Sequence, residues 1–376
     1  MIDCPTLATV EAWLVPLPLR RPVQFAATTW TTWNYVVIRV RDVDGRVGSA
    51  YAFKGEVPLD LMVTELVGPA VVGRQLGDLR SVSERCAQLA GPPMCDVVRP
   101  AASLVEVCLW DIAGQSRSLP LWAVLQPQPV RSSVSVMLVE HRRDGDTATA
   151  FAERVATLVD DGIEIVKIKY YGDGKVTAAV LAAIRSAAGE RLDIVVDVGW
   201  AWTTLDQAIG DANLWAEHRL AWIEDPFPPY RIRETARLRE ATGVPVGVGD
   251  AITSIDLAER LIEDGAVDIL RVDVTTLGGV AGLERLAEIA RPARVELSPE
   301  LCAEVHQHMA FALPEVRGVE MYTKGSGVWS GDALIRPGAL RFERGNLIPP
   351  DRPGSGLDVD WDATRQHAVR YSRFPV

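Results

Sequence analysis

The stretch IEIVKIK at residues 163–169 decides the fold of this chain, because five similar stretches follow it at a steady interval. Each is a short, mostly apolar run that ends in a charged residue. The later runs read LDIVVD at 192–197, AWIE at 221–224, VPVGVGD at 244–250, ILRVD at 269–273 and ARVELSPE at 293–300. Their terminal charges, at positions 169, 197, 224, 250, 273 and 300, lie 28, 27, 26, 23 and 27 residues apart.

This interval fits one strand, one helix and two short loops. Repetition of the unit predicts a parallel sheet, and enough repeats close the sheet into a barrel whose strand ends share one mouth. Strand and helix patterns alternate from Ser133 to Met321 and give eight strands but seven helices, since glycine, serine and proline follow Tyr322. The charged residues would then form a ring on the face that carries the active site in barrel enzymes.

Length and composition narrow the class of protein. The 376 residues suit one barrel plus a smaller domain, and 48% apolar with 24% charged residues is ordinary for a globular chain. A net charge of −11 argues against nucleic-acid binding, which needs a basic surface. Five scattered cysteines without a CxxC pair suggest neither a disulfide framework nor a zinc site. Without a recognisable signal peptide or membrane span, we expect a cytoplasmic protein with no membrane partner.

The patterns divide the chain into three parts. Residues 1–130 combine β structure, including a hairpin at Asp44-Gly45, with helical segments and predict an α+β domain. Residues 131–325 form the barrel. Residues 326–376 form a C-terminal segment that we expect to pack back on the first domain.

Three acids on successive strand ends predict a metal site. Asp197, Glu224 and Asp250 would repel one another unless a cation lay between them, and Mg²⁺ prefers oxygen ligands. Each acid taken singly could instead be a solvated loop residue or a helix N-cap. Three in succession at the barrel period favour the metal.

Two lysines on one strand predict a catalytic base. Lys167 and Lys169 are two residues apart, so their side chains share a face and point into the same mouth. Two close ammonium groups depress each other's pKa, which leaves one able to act as a base near neutral pH. A KxK pattern alone is more often a solvated strand end, and the acids on the following strands give it weight.

The remaining charges of the ring have two interpretations. Asp273 and Glu300 would stand across the mouth from Lys169 and could act as acid or base there, or could form salt bridges with Arg271 or Arg294. Glu320 could donate a hydrogen bond to a substrate carboxylate if it stayed protonated, or could be a buried paired acid.

The chain resembles the enolase superfamily, and within it the mandelate racemase-like group. The resemblance implies an α/β fold: a modified TIM barrel, (β/α)7β, with an N-terminal α+β capping domain. It also implies Mg²⁺ as cofactor and removal of the proton next to a carboxylate to give a metal-stabilised enediolate. The similar stretches are VKIKYYGDG at 166–174, VVDVGW at 195–200, WIEDPFPP at 222–229, VGDA at 248–251, ILRVDVTTLGGV at 269–280, LWDIAG at 109–114, SLPLW at 118–122 and PDRPGSGLDVD at 350–360.

The resemblance implies Asp197, Glu224 and Asp250 as metal ligands, Lys169 as the base and Lys167 as its electrostatic partner. Asp273 falls where racemase-like members keep an aspartate that pairs with a histidine on the next strand, and this chain has Glu300 there instead. Gly199 replaces the asparagine that many relatives carry two residues after the first ligand. In such enzymes the capping domain sets substrate choice, so Arg20, Tyr51 and Lys54 are candidate contacts to the far end of the substrate.

These features favour a Mg²⁺-dependent lyase that dehydrates a hydroxy acid, such as a sugar acid or a hydroxy amino acid. A racemase or epimerase on the same scaffold is the alternative. A Schiff-base aldolase that uses Lys169 or Lys167, or a barrel without catalytic activity, are further possibilities. We expect a small carboxylate substrate and a homo-oligomer.

Overall fold

The structure, a computed structural model, describes residues 4–25, 28–53, 57–89, 95–250, 252–323 and 325–375. The chain begins with an antiparallel sheet of β1 (Leu7–Phe25), β2 (Thr28–Asp42) and β3 (Val47–Ala52). The hairpin between β2 and β3 turns at Asp44-Gly45, where Gly45 has a φ of +86° that glycine adopts without strain. This is the hairpin that the sequence predicts.

Five helices follow the sheet: α1 (Leu59–Leu61), α2 (Gly68–Val71), α3 (Val82–Leu89), α4 (Cys95–Arg117) and α5 (Leu121–Leu125). A π-helical turn, Met62–Val67, separates α1 from α2. There the Thr64 hydroxyl donates to the Asp60 carbonyl oxygen at 3.3 Å. The longest helix, α4, packs an apolar stretch that includes Leu104, Cys108 and Ile112 into the core beneath the sheet.

A barrel of eight parallel strands and seven helices occupies the middle of the chain, so the predicted (β/α)7β fold is confirmed. Its strands are β4 (Val134–Glu140), β5 (Ile165–Lys169), β6 (Asp193–Asp197), β7 (Trp222–Glu224), β8 (Val246–Val248), β9 (Ile269–Val272), β10 (Glu296–Pro299) and β11 (Val319–Tyr322). Its helices are α6 (Ala148–Asp160), α7 (Gly174–Ala188), α8 (Leu205–Trp215), α9 (Ile232–Thr242), α10 (Ile255–Glu263), α11 (Gly279–Ala293) and α12 (Ala303–Ala312).

The barrel closes where its last strands return to its first. β11 pairs in parallel with β4, with Val319 opposite Val136. The Leu297 N–H of β10 donates to the Glu315 carbonyl at 2.9 Å, and the Leu297 carbonyl accepts from the Arg317 N–H at 2.6 Å. These bonds join β10 to the residues immediately before β11.

The barrel interior changes from apolar to charged along the strands. Its lower layer is a buried cluster of Met137, Ile165, Val195, Trp222 and Ile269. Successive side chains of a strand point to opposite faces, so residues two positions further on also point inward. Those residues include Lys167, Asp197, Glu224 and Arg271. The apolar layer therefore supports a charged layer at the mouth.

The first domain docks on the barrel through the start of α11. Glu106 of α4 accepts hydrogen bonds from the backbone N–H groups of Val280 at 2.8 Å and Ala281 at 3.1 Å. A carboxylate at the N-terminus of a helix satisfies N–H groups that have no partner within the helix. Gly278-Gly279 therefore belongs to a contact between α4 and α11.

The C-terminal segment contains β12 (Phe342–Glu343), β13 (Asn346–Leu347), α13 (Trp361–His367) and β14 (Arg370–Phe374). β13 pairs with the start of β4, at the end of the barrel opposite the mouth. β14 pairs with β1, so the chain returns to its first sheet, while the domain boundaries stay a prediction. No helix in the described part of the chain combines the length and apolar character needed to cross a membrane.

Candidate active site

Three carboxylates meet at the mouth of the barrel. Asp197 ends β6, Glu224 ends β7 and Asp250 follows β8. Asp197 lies opposite Glu224 in the strand register, so the two side chains project side by side. One oxygen from each acid lies within 4.8 Å of the other two, and all three residues are buried. The acids come together as the strand spacing predicts.

Their oxygens fit a hard divalent cation such as Mg²⁺. Asp197 Oδ1 and Asp250 Oδ1 are buried and accept no hydrogen bond from the described residues. Burial raises the pKa of Asp250 well above its usual value, and the charges of Glu300 and Glu224 add to this effect. Three carboxylates leave positions open for water or substrate in the octahedral shell that Mg²⁺ prefers. A divalent cation would satisfy both oxygens and offset the repulsion among the acids.

A fourth acid, Asp225, lies beside this cluster and was not singled out from the sequence. Its φ is +45°, and its Oδ1 accepts from the backbone N–H of Gly249 at 3.2 Å. Burial raises its pKa well above the usual value, and the charges of Asp250, Glu224 and Asp197 raise it further. Asp225 therefore holds the backbone just before Asp250 in place.

The two lysines of β5 reach the cluster from the neighbouring strand. Lys169 lies opposite Asp197 in the register, and its Nζ forms an ion pair with that carboxylate. Lys167 is buried, and its Nζ donates to Glu224 Oε1 at 2.6 Å and lies 2.7 Å from Glu320 Oε2. Burial alone would lower the pKa of Lys167, but Glu224 and Glu320 raise it well above its ordinary value. The lowering expected for the lysine pair was therefore wrong for Lys167, which is a fixed positive charge.

Arg271 on β9 brings a third cation into the site. Its Nε lies 3.1 Å from Glu224 Oε2 and 3.5 Å from Asp250 Oδ1, and its Nη2 donates to Glu320. Its Nη1 donates to the hydroxyl of Ser298 at 2.6 Å. Glu320 thus accepts from Arg271 and from the neighbouring lysine, which fits the buried paired acid and not the protonated donor.

The carboxylate of Asp273 lies beside a threonine and a histidine. Its carboxylate accepts from the N–H and the hydroxyl of Thr275, both at 2.8 Å, and lies 3.8 Å from His306 Nε2. His306 Nε2 in turn accepts from the Val274 N–H at 3.0 Å. Burial lowers the pKa of His306. Because its Nε2 accepts a hydrogen bond while its Nδ1 faces the Leu301 carbonyl oxygen, the imidazole carries its proton on Nδ1 and is neutral.

Glu300 follows β10, and its charge acts on the pKa values of Asp250 and Arg271. It therefore lies at the mouth as predicted. A role of Glu300 as an acid or a base stays a prediction.

Of the three predicted substrate contacts of the capping domain, one is exposed, one is buried and one lies outside the described residues. Arg20 lies on β1 and is exposed. Tyr51 is buried, and its hydroxyl donates to Glu304 Oε2 at 2.9 Å, which joins β3 to α12. Lys54 lies outside the described residues. A contact of any of them with substrate stays a prediction.

Two further residues at the mouth, His141 and Tyr322, did not emerge from the sequence. His141 follows β4, two positions beyond an inward-facing residue of that strand, and Tyr322 ends β11. Their rings stack with centroids 6.0 Å apart. Burial and the positive charges of Lys169, Arg21 and Lys167 lower the pKa of His141 to about 3. The two-residue alternation along each strand was the signal that could have identified both of them and Arg271.

Family models match both halves of the chain. Residues 8–125 match the mandelate racemase / muconate lactonizing enzyme, N-terminal domain, and residues 150–363 match the family described as enolase C-terminal domain-like. The chain belongs to the mandelate racemase/muconate lactonizing enzyme family. Both the barrel and the capping domain that the sequence predicts are parts of this family's architecture.

Individual members of the family are similar over most of their length. D-xylonate dehydratase of Haloferax volcanii is 26% identical, with 91% of this chain and 88% of the relative covered. Muconate cycloisomerase 1-2 of Acinetobacter lwoffii is also 26% identical, with 96% and 95% covered. The crystal structure of L-talarate dehydratase from Polaromonas sp. JS666, complexed with Mg and L-glucarate, has a TM-score of 0.85 at 21% identity, with 98% of each chain covered. The last similarity shows the fold.

Proposed function

We propose that this protein removes the proton next to the carboxylate of a hydroxy acid in a Mg²⁺-dependent reaction and then releases the neighbouring hydroxyl group as water. The observation that carries this proposal is the arrangement on β5, β6 and β7. There Lys169, Asp197 and Glu224 lie side by side in one register. A candidate base thus stands next to candidate metal ligands at the same height of the barrel.

Mg²⁺ bound by Asp197, Glu224 and Asp250 would stabilise the negative charge that develops on the substrate carboxylate. Lys169 takes the proton from the carbon next to the carboxylate. Lys167 and Arg271 supply fixed positive charge beside the acids, at Nζ and Nε distances of 2.6 Å and 3.1 Å from the Glu224 oxygens. Their charges act without reorganisation because both side chains are buried.

The second half of the reaction breaks a carbon–oxygen bond. The electron pair of the broken carbon–hydrogen bond forms a double bond between the two carbons, and the hydroxyl leaves from the second carbon. It takes a proton from Glu300, or from Lys169 in a syn elimination, and departs as water. When the carbon next to the carboxylate also carries a hydroxyl, the product of this elimination is an enol, which rearranges to a 2-keto acid. Asp273 is less suited to this role, since Thr275 already donates two hydrogen bonds to its carboxylate.

The named activities of relatives support a dehydratase. D-xylonate dehydratase acts on a sugar acid by its name, and a D-mannonate dehydratase of Caulobacter vibrioides is 26% identical. Their chemistry agrees with the dehydration expected from the sequence. A small carboxylate substrate follows from the proposal, whereas the homo-oligomer and the cytoplasmic location stay predictions.

Exchange of the substrate's α-proton in D₂O tests the proposal directly. A library of hydroxy acids is incubated with enzyme and Mg²⁺, and deuterium incorporation and keto-acid formation are followed by NMR. We expect exchange that chelator abolishes and that Lys169→Ala loses. Lys175→Ala is the matched control, because Lys175 is an exposed lysine of α7.

Exchange that persists in Lys169→Ala would refute the role of Lys169. Trapping of a carbonyl substrate by borohydride would instead support the Schiff-base aldolase.

A further inference from the structure

The end of β10 brings Glu300 to the mouth of the barrel. Ser298 points into the barrel, where its hydroxyl accepts from Arg271 at 2.6 Å. Glu300 lies two residues further on, so the alternation of side chains along a strand directs its carboxyl inward as well. The position of this carboxyl therefore depends on the turn that joins β10 to α12.

That turn has an unusual backbone. The φ angles of Leu301 and Cys302 are +52° and +41°, in the left-handed region that residues other than glycine seldom adopt. Two such residues in succession persist only where neighbouring groups hold them in place. We call residues 300–302 the acid turn.

The barrel holds the acid turn from one side. The backbone N–H of Glu300 donates to the Val272 carbonyl oxygen of β9 at 2.8 Å. The Nδ1 of His306 lies 2.5 Å from the Leu301 carbonyl oxygen, and the Nε2 of the same ring accepts from the Val274 N–H at 3.0 Å. His306 thus ties the acid turn to the residues that follow β9.

The capping domain holds the acid turn from the other side through Tyr51 of β3. The Tyr51 hydroxyl donates to Glu304 Oε2 in the first turn of α12, at 2.9 Å. The Tyr51 carbonyl oxygen accepts from Cys302 Sγ at 3.5 Å. One residue of the capping domain therefore contacts both the acid turn and the helix that follows it. Tyr51 is only 4% exposed, which leaves its hydroxyl little access to a substrate.

We propose that Tyr51 is a positioning residue for Glu300: its contacts with Glu304 and Cys302 hold the acid turn so that the Glu300 carboxyl meets the departing hydroxyl group. This inference rests on the proposed function and names its proton donor. Lys169 on β5 begins the reaction, and Glu300, held in part by the capping domain, completes it. The direct contact with substrate that the sequence predicts for Tyr51 is thereby replaced by an indirect role.

Tyr51→Phe should separate the two steps, because they use groups on different strands. Lys169 still removes the α-proton and returns deuterium from D₂O to the carbon, whereas loss of the hydroxyl group slows. The ratio of deuterated substrate to keto acid should rise at least about 10-fold, since misplacement of a group by about 1 Å can cost about 100-fold in rate. The KM should change little.

NMR in D₂O with Mg²⁺ present measures this ratio. The probe is the acid that the wild-type enzyme converts fastest, chosen from a hydroxy-acid library that includes D-xylonate and D-mannonate. Hydrogen exchange with mass spectrometry tests the acid turn without any substrate, on the Mg²⁺-loaded enzyme. Backbone amides of residues 297–306 should exchange about 10-fold faster in Tyr51→Phe, because a buried hydrogen bond that restrains local opening is lost.

Tyr35→Phe is the matched control. Tyr35 is a buried tyrosine of β2 whose ring centroid lies 6.4 Å from that of Tyr51, but its hydroxyl lies 3.3 Å from Ser330 Oγ in the C-terminal segment. Its loss should leave both measurements unchanged. Glu304→Gln keeps an acceptor for the Tyr51 hydroxyl and should stay close to the wild type.

A double variant guards against instability of Tyr51→Phe, which leaves the Glu304 carboxyl without its donor. Tyr51→Phe combined with Glu304→Met removes both partners, and such a replacement can be nearly neutral for stability. It should raise the ratio and the hydrogen exchange as Tyr51→Phe does.

The outcomes distinguish this inference from the proposed function. A rise in both measurements that is confined to the Tyr51 variants supports it. An unchanged ratio in an enzyme that turns over overturns it, since Lys169 would then donate the proton in a syn elimination. A change in KM alone, unchanged hydrogen exchange of the acid turn, or an equal effect of Tyr35→Phe also overturns it. A wild-type enzyme that exchanges no α-proton counts against the proposed function, while hydrogen exchange still decides whether Tyr51 holds the acid turn.

Discussion

Replacing Arg271 by methionine would remove the cation that three acids of the candidate site share. Arg271 is fully buried, with its Nε 3.1 Å from Glu224 and 3.5 Å from Asp250, while its Nη2 donates to Glu320. Methionine keeps much of the side-chain length and none of the charge. Removal of one partner from a buried ion pair leaves the other charge uncompensated and destabilises a protein by about 3–5 kcal/mol. We expect Arg271→Met to lower the free energy of unfolding by about that amount in the absence of metal.

Mg²⁺ should stabilise the folded Arg271→Met variant more than it stabilises the folded wild type. A ligand at about 100 times its dissociation constant stabilises the folded state by about 2.7 kcal/mol. Without Arg271, Lys167 is the side-chain cation that still acts on Asp250, so the folded variant should gain more from Mg²⁺ than the wild type does. The difference in the free energy of unfolding between variant and wild type should therefore be smaller with Mg²⁺ than with chelator.

Urea titrations of both proteins, with chelator or with Mg²⁺, measure these free energies. Arg239→Met is the control, since Arg239 pairs with Asp268 at 2.7 Å on the surface, where its side chain is 41% exposed. Such a pair contributes about 0.2–1 kcal/mol. A loss in Arg271→Met no larger than the control's, or one that Mg²⁺ leaves unchanged, would refute the shared-cation reasoning.

Three further predictions follow from the site and its surroundings. Glu224→Gln should weaken Mg²⁺ binding by more than about 100-fold in calorimetry, because loss of an outer-shell partner alone costs about 10- to 100-fold, and normal affinity would remove Glu224 from the ligand set. Burial lowers the pKa of His308 to about 4, so the unfolded chain binds a proton there first and stability should fall as pH drops from about 6.5 toward 4. His308→Gln should flatten that part of the stability profile, and an unchanged slope would contradict the assignment. Substrate recovered from D₂O should keep its configuration, since Lys169 acts from one face, and rapid epimerisation would favour the racemase.

Much of the fold could be predicted because strand and helix periodicity is local information. The interval between charged strand ends fixes a repeating unit, and parallel strands in a barrel must place their carboxyl ends at one mouth. Asp197, Glu224 and Asp250 were therefore predicted to meet before any contact between them was known. The hairpin at Asp44-Gly45 followed in the same way from a short turn signal.

The pairing of charges within the mouth could not be predicted in this way. Arg271 could pair with Asp273 two residues away, but it lies among Glu224, Asp250 and Glu320 instead. The choice depends on which side chains compete for the same buried space from different strands. Such competition has no signature along the chain.

The sequence by itself determined the barrel, the ring of charges and the family, because each depends on spacing along one chain. Only the tertiary structure decided that Tyr51 binds Glu304 and that Tyr322 and Phe53 both pack against Trp329. These residues come from three separate parts of the chain, and their contacts exist only after the capping domain and the C-terminal segment have folded over the barrel. Side chains that are far apart in sequence acquire their partners from packing, which no local pattern encodes.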